Sequence, residues 1–378
     1  MSQTKAQLVS GTTAQDLTVD NINTTSVNSG QLSNRRININ GGFQVFQRST
    51  SATGVGSSEG YFAPDRYRQA GTGSMRYTAS QSTDVPAGYG FSNSLKYDCT
   101  TASGTVGSGH FVAIEHRLEG QDVQVFNKGT AQAEQYTISF HVKSPKTGIH
   151  CLELYDNDNN RHVSKSYTIS SANTWQKVTL TFPADTTGAF DNDNAASLRI
   201  FFWLMAGTDF TGSTLPSSWA SFSSAARATG QVNVFDSTSN DFFLTGVQLE
   251  VGSTATDFEH RRIGQEIDLC QRYYFLFCEG TDKEINVAWY FTSGHISFFV
   301  RYPTTMRAAP TLTVASGTNY YVLYRNGGND QFDNFASEFI STEQMSCFKN
   351  SGVSGTAGQA GILRTFNSAA KVEVSAEL

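Results

Sequence analysis

The amino-acid sequence predicts an all-β protein with four parts: an extended N-terminal tail, a jelly-roll β-sandwich, a short linking α-helix and a second, smaller C-terminal β domain. Three observations lead to this prediction. Apolar and polar residues alternate with a period of two in several segments, which is typical of strands with one buried face. Clusters of turn-forming residues separate these segments. Only 16% of the residues are charged, whereas exposed helices usually carry many long charged side chains.

Residues 1–34 are expected to form the N-terminal tail. The first 33 residues contain no aromatic residue and no proline, and their apolar side chains are isolated from one another. A segment with so little apolar surface cannot offset the entropy of ordering its own backbone. We therefore expect it to be disordered, or to be ordered only against copies of itself or against a partner, as an attachment segment would be.

Residues 35–262 are expected to form the sandwich. Apolar and polar residues alternate along Tyr136–Lys143 and along Lys177–Phe182, as in half-buried strands. Leu198–Met205 is apolar at seven of eight positions, which predicts a strand covered on both faces. A later strand is expected to place four apolar side chains on one face: Phe243, Val247, Leu249 and Val251.

Residues 263–280 are expected to form a linking helix. Its apolar residues recur at helical spacing, while polar residues such as Glu266 and Asp268 occupy the other faces. The apolar positions are Ile263, Ile267, Cys270, Tyr274 and Phe277. Such a stripe could pack on its own sandwich or meet symmetry mates around a threefold axis, and the sequence leaves both open.

Residues 281–378 are expected to form the C-terminal β domain. Prolines 303 and 310 bracket one of its connections. Its predicted strands are Val287–Phe291, Ile296–Val300, Tyr320–Tyr324, Glu338–Phe348 and Lys371–Val374.

The composition also argues against several classes of function. Acidic residues outnumber basic ones 33 to 27, so clustered positive charge for nucleic-acid binding is not expected. No stretch approaches the roughly 20 consecutive apolar residues that insert into a membrane, and the N-terminus lacks the apolar core of a secretory signal. The five cysteines are widely scattered, which favours buried free thiols in a protein made in a reducing cytoplasm.

Several sequence blocks resemble segments of bacteriophage tail-fibre and related virion proteins. The blocks include an Asn-Gly segment followed by Asp-Arg-Tyr, a late strand leading to Cys-Gln-Arg-Tyr-Tyr, and a Tyr-Pro start of the following domain. In this chain they are Asn38–Arg48, Tyr61–Tyr67, Phe242–Gly252, Thr256–Arg261, Leu269–Tyr274 and Tyr302–Thr311. The region around Trp175–Val178 is similar to galactose-binding-like carbohydrate modules.

The resemblance implies a bacteriophage tail fibre, a homotrimeric virion structural protein that adheres to host-surface glycan without catalysis. Its N-terminal tail would bind phage tail or capsid proteins, and the C-terminal domain would face the receptor. The expected location is the virion, after synthesis in the host cytoplasm and release by lysis. The alternatives are a purely structural head fibre, decoration or spacer, a polysaccharide depolymerase, and a free-standing carbohydrate-binding protein.

Aromatic side chains are the sequence's candidates for stacking against sugar rings. Trp175 and Trp203 are expected to pack in the core, because each lies in or beside an apolar strand. Trp219 lies in a long polar loop and is the tryptophan expected to be most exposed. The candidate ligand-binding residues are Trp219, Trp289, Tyr290, Tyr320 and Tyr321.

A structural calcium is implied by the resemblance to carbohydrate modules, which hold it with oxygen ligands from an early Asn-Gly segment and from the last strand. The matching positions are Asn40, Gln44 and Asp241. Those modules usually have a carboxylate where Gln44 stands, so this site would lack one charge.

Catalysis is not expected from the sequence. Gly56–Gly60 fits the Gly-x-Ser-x-Gly pattern, but it lies in a Ser/Gly-rich stretch without the strand and helix that a nucleophile elbow requires. Paired carboxylates could cut polysaccharide, yet no spacing singles out a pair. The carboxylates considered are Glu115, Glu119, Asp122, Glu134 and Glu153.

Overall fold

The computed structural model describes residues 26–27, 30–31 and 34–378. Most of the predicted tail, residues 1–34, lies outside the described residues. The predicted all-β fold is confirmed: the described part of the chain contains a jelly-roll sandwich, further antiparallel sheets and one α-helix. Among the described residues, no helix has the length and apolar character required to cross a bilayer.

The strands up to the helix comprise a short N-terminal pair and the strands of the sandwich. They are β1 (Ser26–Val27), β2 (Gly30–Gln31), β3 (Ser51–Val55), β4 (Tyr67–Ala70), β5 (Arg76–Ser82), β6 (Ser94–Thr101), β7 (Phe111–Glu119), β8 (Tyr136–Lys143), β9 (Gly148–Asp156), β10 (Arg161–Ile169), β11 (Gln176–Phe182), β12 (Ala196–Ala206), β13 (Ala220–Ser221) and β14 (Asp241–Val251). Four short 3₁₀ turns lie at Gly120–Asp122, Gln124–Phe126, Thr208–Phe210 and Ser224–Ala226.

The helix and the remaining strands follow. They are α1 (Ile263–Gln271), β15 (Tyr274–Glu279), β16 (Glu284–Thr292), β17 (His295–Arg301), β18 (Thr311–Val314), β19 (Tyr321–Arg325), β20 (Gly328–Phe332), β21 (Ala336–Glu338), β22 (Gln344–Lys349), β23 (Ala360–Thr365) and β24 (Lys371–Ser375).

Two six-stranded antiparallel sheets form the sandwich. One has the order β13-β10-β9-β12-β7-β4 and the other β11-β8-β14-β6-β5-β3. Their inner faces share one apolar core, in which the rings of Phe140 and Phe202 meet edge to face at 5.1 Å. Leu198–Met205 lies within β12 and is covered on both sides, because Trp203 and Phe201 belong to a smaller apolar cluster on the outer face.

A bulge in β14 corrects one prediction. Phe243 does not share a face with Val247: it lies on the outer face, where the Lys143 ammonium approaches its ring at 4.4 Å. The register with β8 shifts between Thr245 and Gln248, around Gly246 at φ +63°. The extra residue inverts the alternation, so the inner-face positions change from even to odd numbers.

The linking helix is shorter than the predicted 263–280. It ends at Gln271, and Tyr274–Glu279 is a strand paired with β24. This segment is nearly continuously apolar, so its spacing could not distinguish a helix from a buried strand. The helix packs within its own chain, because Cys270 and Tyr273 lie against Ile39 and Val45.

The C-terminal strands form a three-stranded sheet, β15-β24-β18, and a seven-stranded sheet, β20-β19-β23-β16-β17-β22-β21, around a second apolar core. The strand predicted over Glu338–Phe348 is two strands, β21 and β22, separated by a turn. Strands β18, β20 and β23 were not predicted, because β18 is only four residues long and the glycine-containing segments of β20 and β23 carry little alternation. All five cysteines are buried and free, as expected.

Candidate functional site

Trp219 is buried, which corrects its prediction as an exposed ligand-binding residue. Only 7% of it is accessible, and its Nε1 donates a hydrogen bond to the Pro183 carbonyl oxygen at 2.9 Å. The Lys128 ammonium lies 5.5 Å from its ring. The polar loop that carries Trp219 folds back onto the sandwich, so the indole anchors this loop and is unavailable to a ligand.

The four other aromatic candidates are divided between the core and the surface. Tyr290 and Tyr321 are fully buried in the C-terminal core, which corrects their assignment as ligand-binding residues. Tyr320 is half-buried and packs against the same core. Trp289 is half-buried and points outward, with its ring 5.6 Å from that of Phe299. Of the predicted residues, Trp289 is therefore the one that remains best placed on an accessible aromatic surface.

The outer face of the seven-stranded sheet is an exposed apolar surface, which we call the C-terminal face. Val287 lies directly opposite Ile362, which in turn lies opposite Tyr324. Val287 is 57% exposed, Phe291 68%, Phe299 45% and Ile362 46%. The face consists of Val287, Trp289, Phe291, Phe299, Tyr324, Phe348 and Ile362. Monomeric proteins seldom expose a large contiguous apolar patch, so this face is a candidate interaction surface.

The calcium-binding residues predicted from the resemblance do not form one site. The Oδ1 atom of Asn40 accepts hydrogen bonds from the backbone N–H groups of Gln44 and Val45. Because two donors already point at this oxygen, it cannot coordinate a cation. Asp241 forms an ion pair with Lys96 at 3.5 Å. It lies six residues along β14 from Val247, whose backbone bonds to Gly41, so Asp241 and the Asn-Gly segment are separated by roughly 20 Å. The described residues contain no group of three or more His, Cys, Asp or Glu able to hold a metal.

A second candidate surface lies on the outer face of the sheet that contains β12. Here a cavity of about 140 Å³, which we call the sheet cleft, is bounded by aromatic rings and arginines. Strands β9 and β12 supply its floor, and the loop after β12 supplies Phe222 and Arg227. Its lining residues are Glu59, Ala70, Phe111, Tyr155, Arg199, Phe201, Phe222 and Arg227.

Arg227 is held among aromatic rings at one end of the sheet cleft. Its guanidinium lies 4.9 Å from the Phe201 ring centre and 5.3 Å from that of Phe222. Its Nε donates to both carboxylate oxygens of the buried Glu153, at 3.0 and 2.9 Å. The same carboxylate accepts a hydrogen bond from Trp203 Nε1 at 3.2 Å. These contacts fix the orientation of the guanidinium and of the rings beside it.

Glu115 forms ion pairs with the arginines at the other end of the sheet cleft. This buried carboxylate pairs with Arg68, Arg117 and Arg199, with Arg117 Nε at 2.9 Å. Burial opposes its ionisation, but the neighbouring Arg199 and Arg117 charges outweigh burial and lower the pKa of Glu115 below its ordinary value. Glu115 and Glu153 lie on either side of Phe201 in the strand register. Both carboxylates are thus held in place by arginine partners.

Replacing Glu115 by Gln should destabilise the protein by about 2–3 kcal/mol at neutral pH, because three arginines lose their shared anion. Since the folded-state pKa is lowered, the stabilisation from Glu115 is present above its ordinary pKa of 4.5 and is lost as the pH falls through the lower folded value. Denaturant unfolding of the wild type and of Glu115→Gln between pH 7 and 3 measures how much Glu115 contributes to the free energy of unfolding. The difference between them should shrink in acid; a constant difference would contradict the prediction.

The sheet cleft could hardly be predicted from the sequence. Arg199 and Phe201 lie in one apolar run, whereas Arg227 and Phe222 come from a loop more than 20 positions later. Only the pairing of β12 with β7 and β9 brings Glu115 and Glu153 beside Phe201. The one available indication was a charged residue, Arg199, inside an otherwise apolar strand.

Comparison with known proteins gives no family assignment. No protein-family model matches the chain, and no curated protein matches it. Among solved structures it is similar to the enzymatically active domain of bacteriophage CBA120 tailspike protein 4, with 14% identity, 57% of this chain covered and a TM-score of 0.29. The chain covers only 21% of that tailspike chain.

Carbohydrate-binding modules are also among the similar structures. A family 4 module has 13% identity, with 56% of this chain and 97% of the module covered, and a TM-score of 0.29. A tandem of two family 22 modules from Paenibacillus barcinonensis has 12% identity, with 82% and 86% covered, and a TM-score of 0.24. Likeness at these identities and scores concerns the fold alone and carries no conclusion about function.

Proposed function

We propose that this chain is a bacteriophage tail-fibre protein that forms a homotrimer and adheres to host-surface glycan without catalysis. Residues 1–34 would attach it to tail or capsid proteins, and the assembled protein would reside in the virion. The observation that carries glycan binding is the sheet cleft, where aromatic rings lie beside oriented arginine and carboxylate groups. Rings can stack on the apolar faces of sugars while fixed polar groups bond their hydroxyls.

Assembly is assigned to the C-terminal face. The outward positions of its three central strands include aromatic and aliphatic side chains, together with the charged residues Arg301, Arg364 and Glu284, of which Glu284 lies opposite Arg364 at one end of the face. A surface so rich in exposed apolar side chains is stabilised by being buried against another protein. The homotrimer suggested by the sequence resemblance makes further copies of this chain the proposed occupant. Three copies would also strengthen weak glycan contacts through simultaneous engagement.

The absence of catalysis is proposed from the state of the carboxylates in the sheet cleft. A glycosidase needs one carboxylic acid whose pKa is raised so that it can donate a proton. Glu115 instead has a lowered pKa and three arginine partners. Glu153 is bonded to Arg227 and Trp203. The depolymerase alternative would be favoured by the release of reducing ends from host polysaccharide.

Two substitutions separate adhesion from assembly. Phe222→Ala removes a ring from the sheet cleft and should weaken each glycan contact about 2- to 10-fold, with a larger loss of adhesion by a multivalent fibre. Phe299→Asp places a charge on the C-terminal face and should reduce the solution mass from three chains to one. Binding to host cells and light scattering are measured for both variants, with Val125→Asp, an exposed sandwich position, as the control.

The expected results are a trimer with weakened adhesion for Phe222→Ala and a monomer for Phe299→Asp. Wild-type behaviour is expected for Val125→Asp. A trimeric wild-type protein that does not bind host cells would support the purely structural alternative. A wild-type protein that is monomeric at all concentrations would contradict the fibre proposal and favour a free-standing carbohydrate-binding protein.

A further inference from the structure

A second cavity lies on the opposite side of the sandwich from the sheet cleft. It has a volume of about 320 Å³ and lies on the outer face of β8, β11 and β14. The loop between β5 and β6 and the segment after β14 form its walls. We call it the His141 pocket; its lining residues are Gly88, Tyr89, Ser139, His141, Lys177, Gly246, Asp257, Phe258 and His260.

His141 is an unpartnered polar group in this pocket. It is only 4% exposed, and neither of its ring nitrogens has a hydrogen-bond partner among the described residues. Leaving a buried polar atom without a partner is unfavourable, because the atom has lost its hydrogen bonds to water and gained none in the protein. The bulge at Gly246 makes room for the imidazole, because a Cβ at Gly246 would lie 3.0 Å from His141 Nδ1. The fold therefore holds a costly, unsatisfied imidazole at the floor of a cavity.

The charge state of His141 selects the class of ligand. Burial, and then the nearby Lys177 ammonium, lower the pKa of His141 to about 4. At neutral pH the ring is therefore uncharged and presents one N–H donor and one nitrogen acceptor. A hydroxyl group is likewise both a donor and an acceptor. The Lys177 ammonium and the Asp257 carboxylate in the walls balance one another, so the lining of the pocket carries no net charge and favours uncharged polyhydroxyl compounds.

The rim of the pocket offers an accessible ring. Tyr89 is 48% exposed, and its ring centre lies 4.4 Å from that of His141. Gly88 and Gly90 flank it at φ +85° and +74°, conformations that other residues rarely adopt. His260 lies 2.9 Å, through Nε2, from the Tyr89 carbonyl oxygen and ties the loop to the pocket wall. The Tyr89 ring covers the imidazole, so a ligand reaches the His141 nitrogens only when the Tyr89 side chain moves aside.

We propose that the His141 pocket binds an uncharged pyranose, which stacks on Tyr89 and hydrogen-bonds to the His141 imidazole and the Ser139 hydroxyl. Asp257 and Lys177 at the walls bond the remaining hydroxyls. This site shares its ligand class with the proposed function and in that respect rests on it. It uses none of the residues of the sheet cleft, so the two sites can be tested separately.

The test uses saturation-transfer NMR on the full-length protein with methyl glycosides of glucose, galactose, mannose and N-acetylglucosamine. His141→Phe keeps an aromatic ring but removes both nitrogens, and it should weaken binding of the preferred glycoside about tenfold. The same variant should be as stable as the wild type or more stable, because it removes two unsatisfied atoms. Val125→Asp, at an exposed sandwich position outside both cavities, should retain the signal.

Each outcome decides the proposal. Binding that is weakened in His141→Phe and retained in Val125→Asp supports it, as long as thermal unfolding shows no loss of stability. Binding unchanged in His141→Phe, or no glycoside binding to the wild type, overturns it. Marked destabilisation by His141→Phe would show that the imidazole has a structural partner and would also overturn it. Adhesion of the wild type to host cells still decides the proposed function independently.

Discussion

Replacing Glu266 by Gln is expected to lower the free energy of unfolding by about 3–5 kcal/mol. Glu266 lies in the first turn of α1, where only 2% of it is exposed. Its carboxylate pairs with the equally buried Arg36 and accepts a hydrogen bond from the Asn40 backbone N–H. Gln keeps the shape and one acceptor, but it leaves the Arg36 guanidinium as an uncompensated buried charge.

The measurement is denaturant unfolding of Glu266→Gln beside a matched control, Asp268→Asn. Asp268 lies in the same helix but is exposed, so its change should stay within about 0.5 kcal/mol. Equal effects of the two substitutions would show that Glu266 contributes no more than a surface carboxylate. Far-UV circular dichroism of both variants establishes that the fold is retained before the free energies are compared.

Replacing Glu377 by Gln should have an effect of similar size and should also uncouple the two cores. Arg66 is fully buried in the sandwich and pairs with Glu377, which follows β24 near the end of the chain. The Arg66 guanidinium also lies 3.3 Å from the Tyr273 ring centre and donates to the Arg117 carbonyl oxygen. Without the Glu377 charge, a buried cation keeps only neutral partners, which costs about 3–5 kcal/mol.

Scanning calorimetry tests this coupling. The wild type should unfold in one transition, and Glu377→Gln should resolve an earlier transition for the C-terminal sheets, because the sandwich loses its main ionic contact with them. Glu343→Gln, at an exposed position in the same part of the chain, should leave one transition unchanged. A single transition at an unaltered temperature in Glu377→Gln would contradict the assigned role.

The contacts of Asn38 and Arg66 show what the sequence blocks that resemble tail-fibre segments do in this structure. Asn38 bonds to the backbone of β14 through Val247 and Leu249. Arg66 and Tyr273, from two separate blocks, lie against one another. These residues of the tail-fibre-like blocks therefore join the sandwich, the helix and the C-terminal sheets, and they are buried at these junctions. The sheet cleft and the C-terminal face lie outside these blocks, whereas the His141 pocket takes Gly246 and Asp257 from two of them.

The sequence was sufficient where a pattern reports on its own strand. Alternation along Tyr136–Lys143 predicted β8 with its observed bounds, and the apolar run at Leu198–Met205 predicted a strand covered on both faces. Both predictions succeed because the burial of one or both strand faces determines which consecutive residues are apolar. The class of the fold follows from such local patterns and was confirmed.

The tertiary structure alone decided which side chains reach the surface and which meet each other. Trp219 looked exposed because its neighbours are polar, yet its loop folds onto the sandwich. Glu266 looked solvated on a helix, yet Arg36, 230 positions away, pairs with it. His141 occupied an outward position in an ordinary strand pattern, and only a bulge in β14 and a distant loop enclose it. Such contacts depend on residues far apart in the chain, so no local pattern contains them.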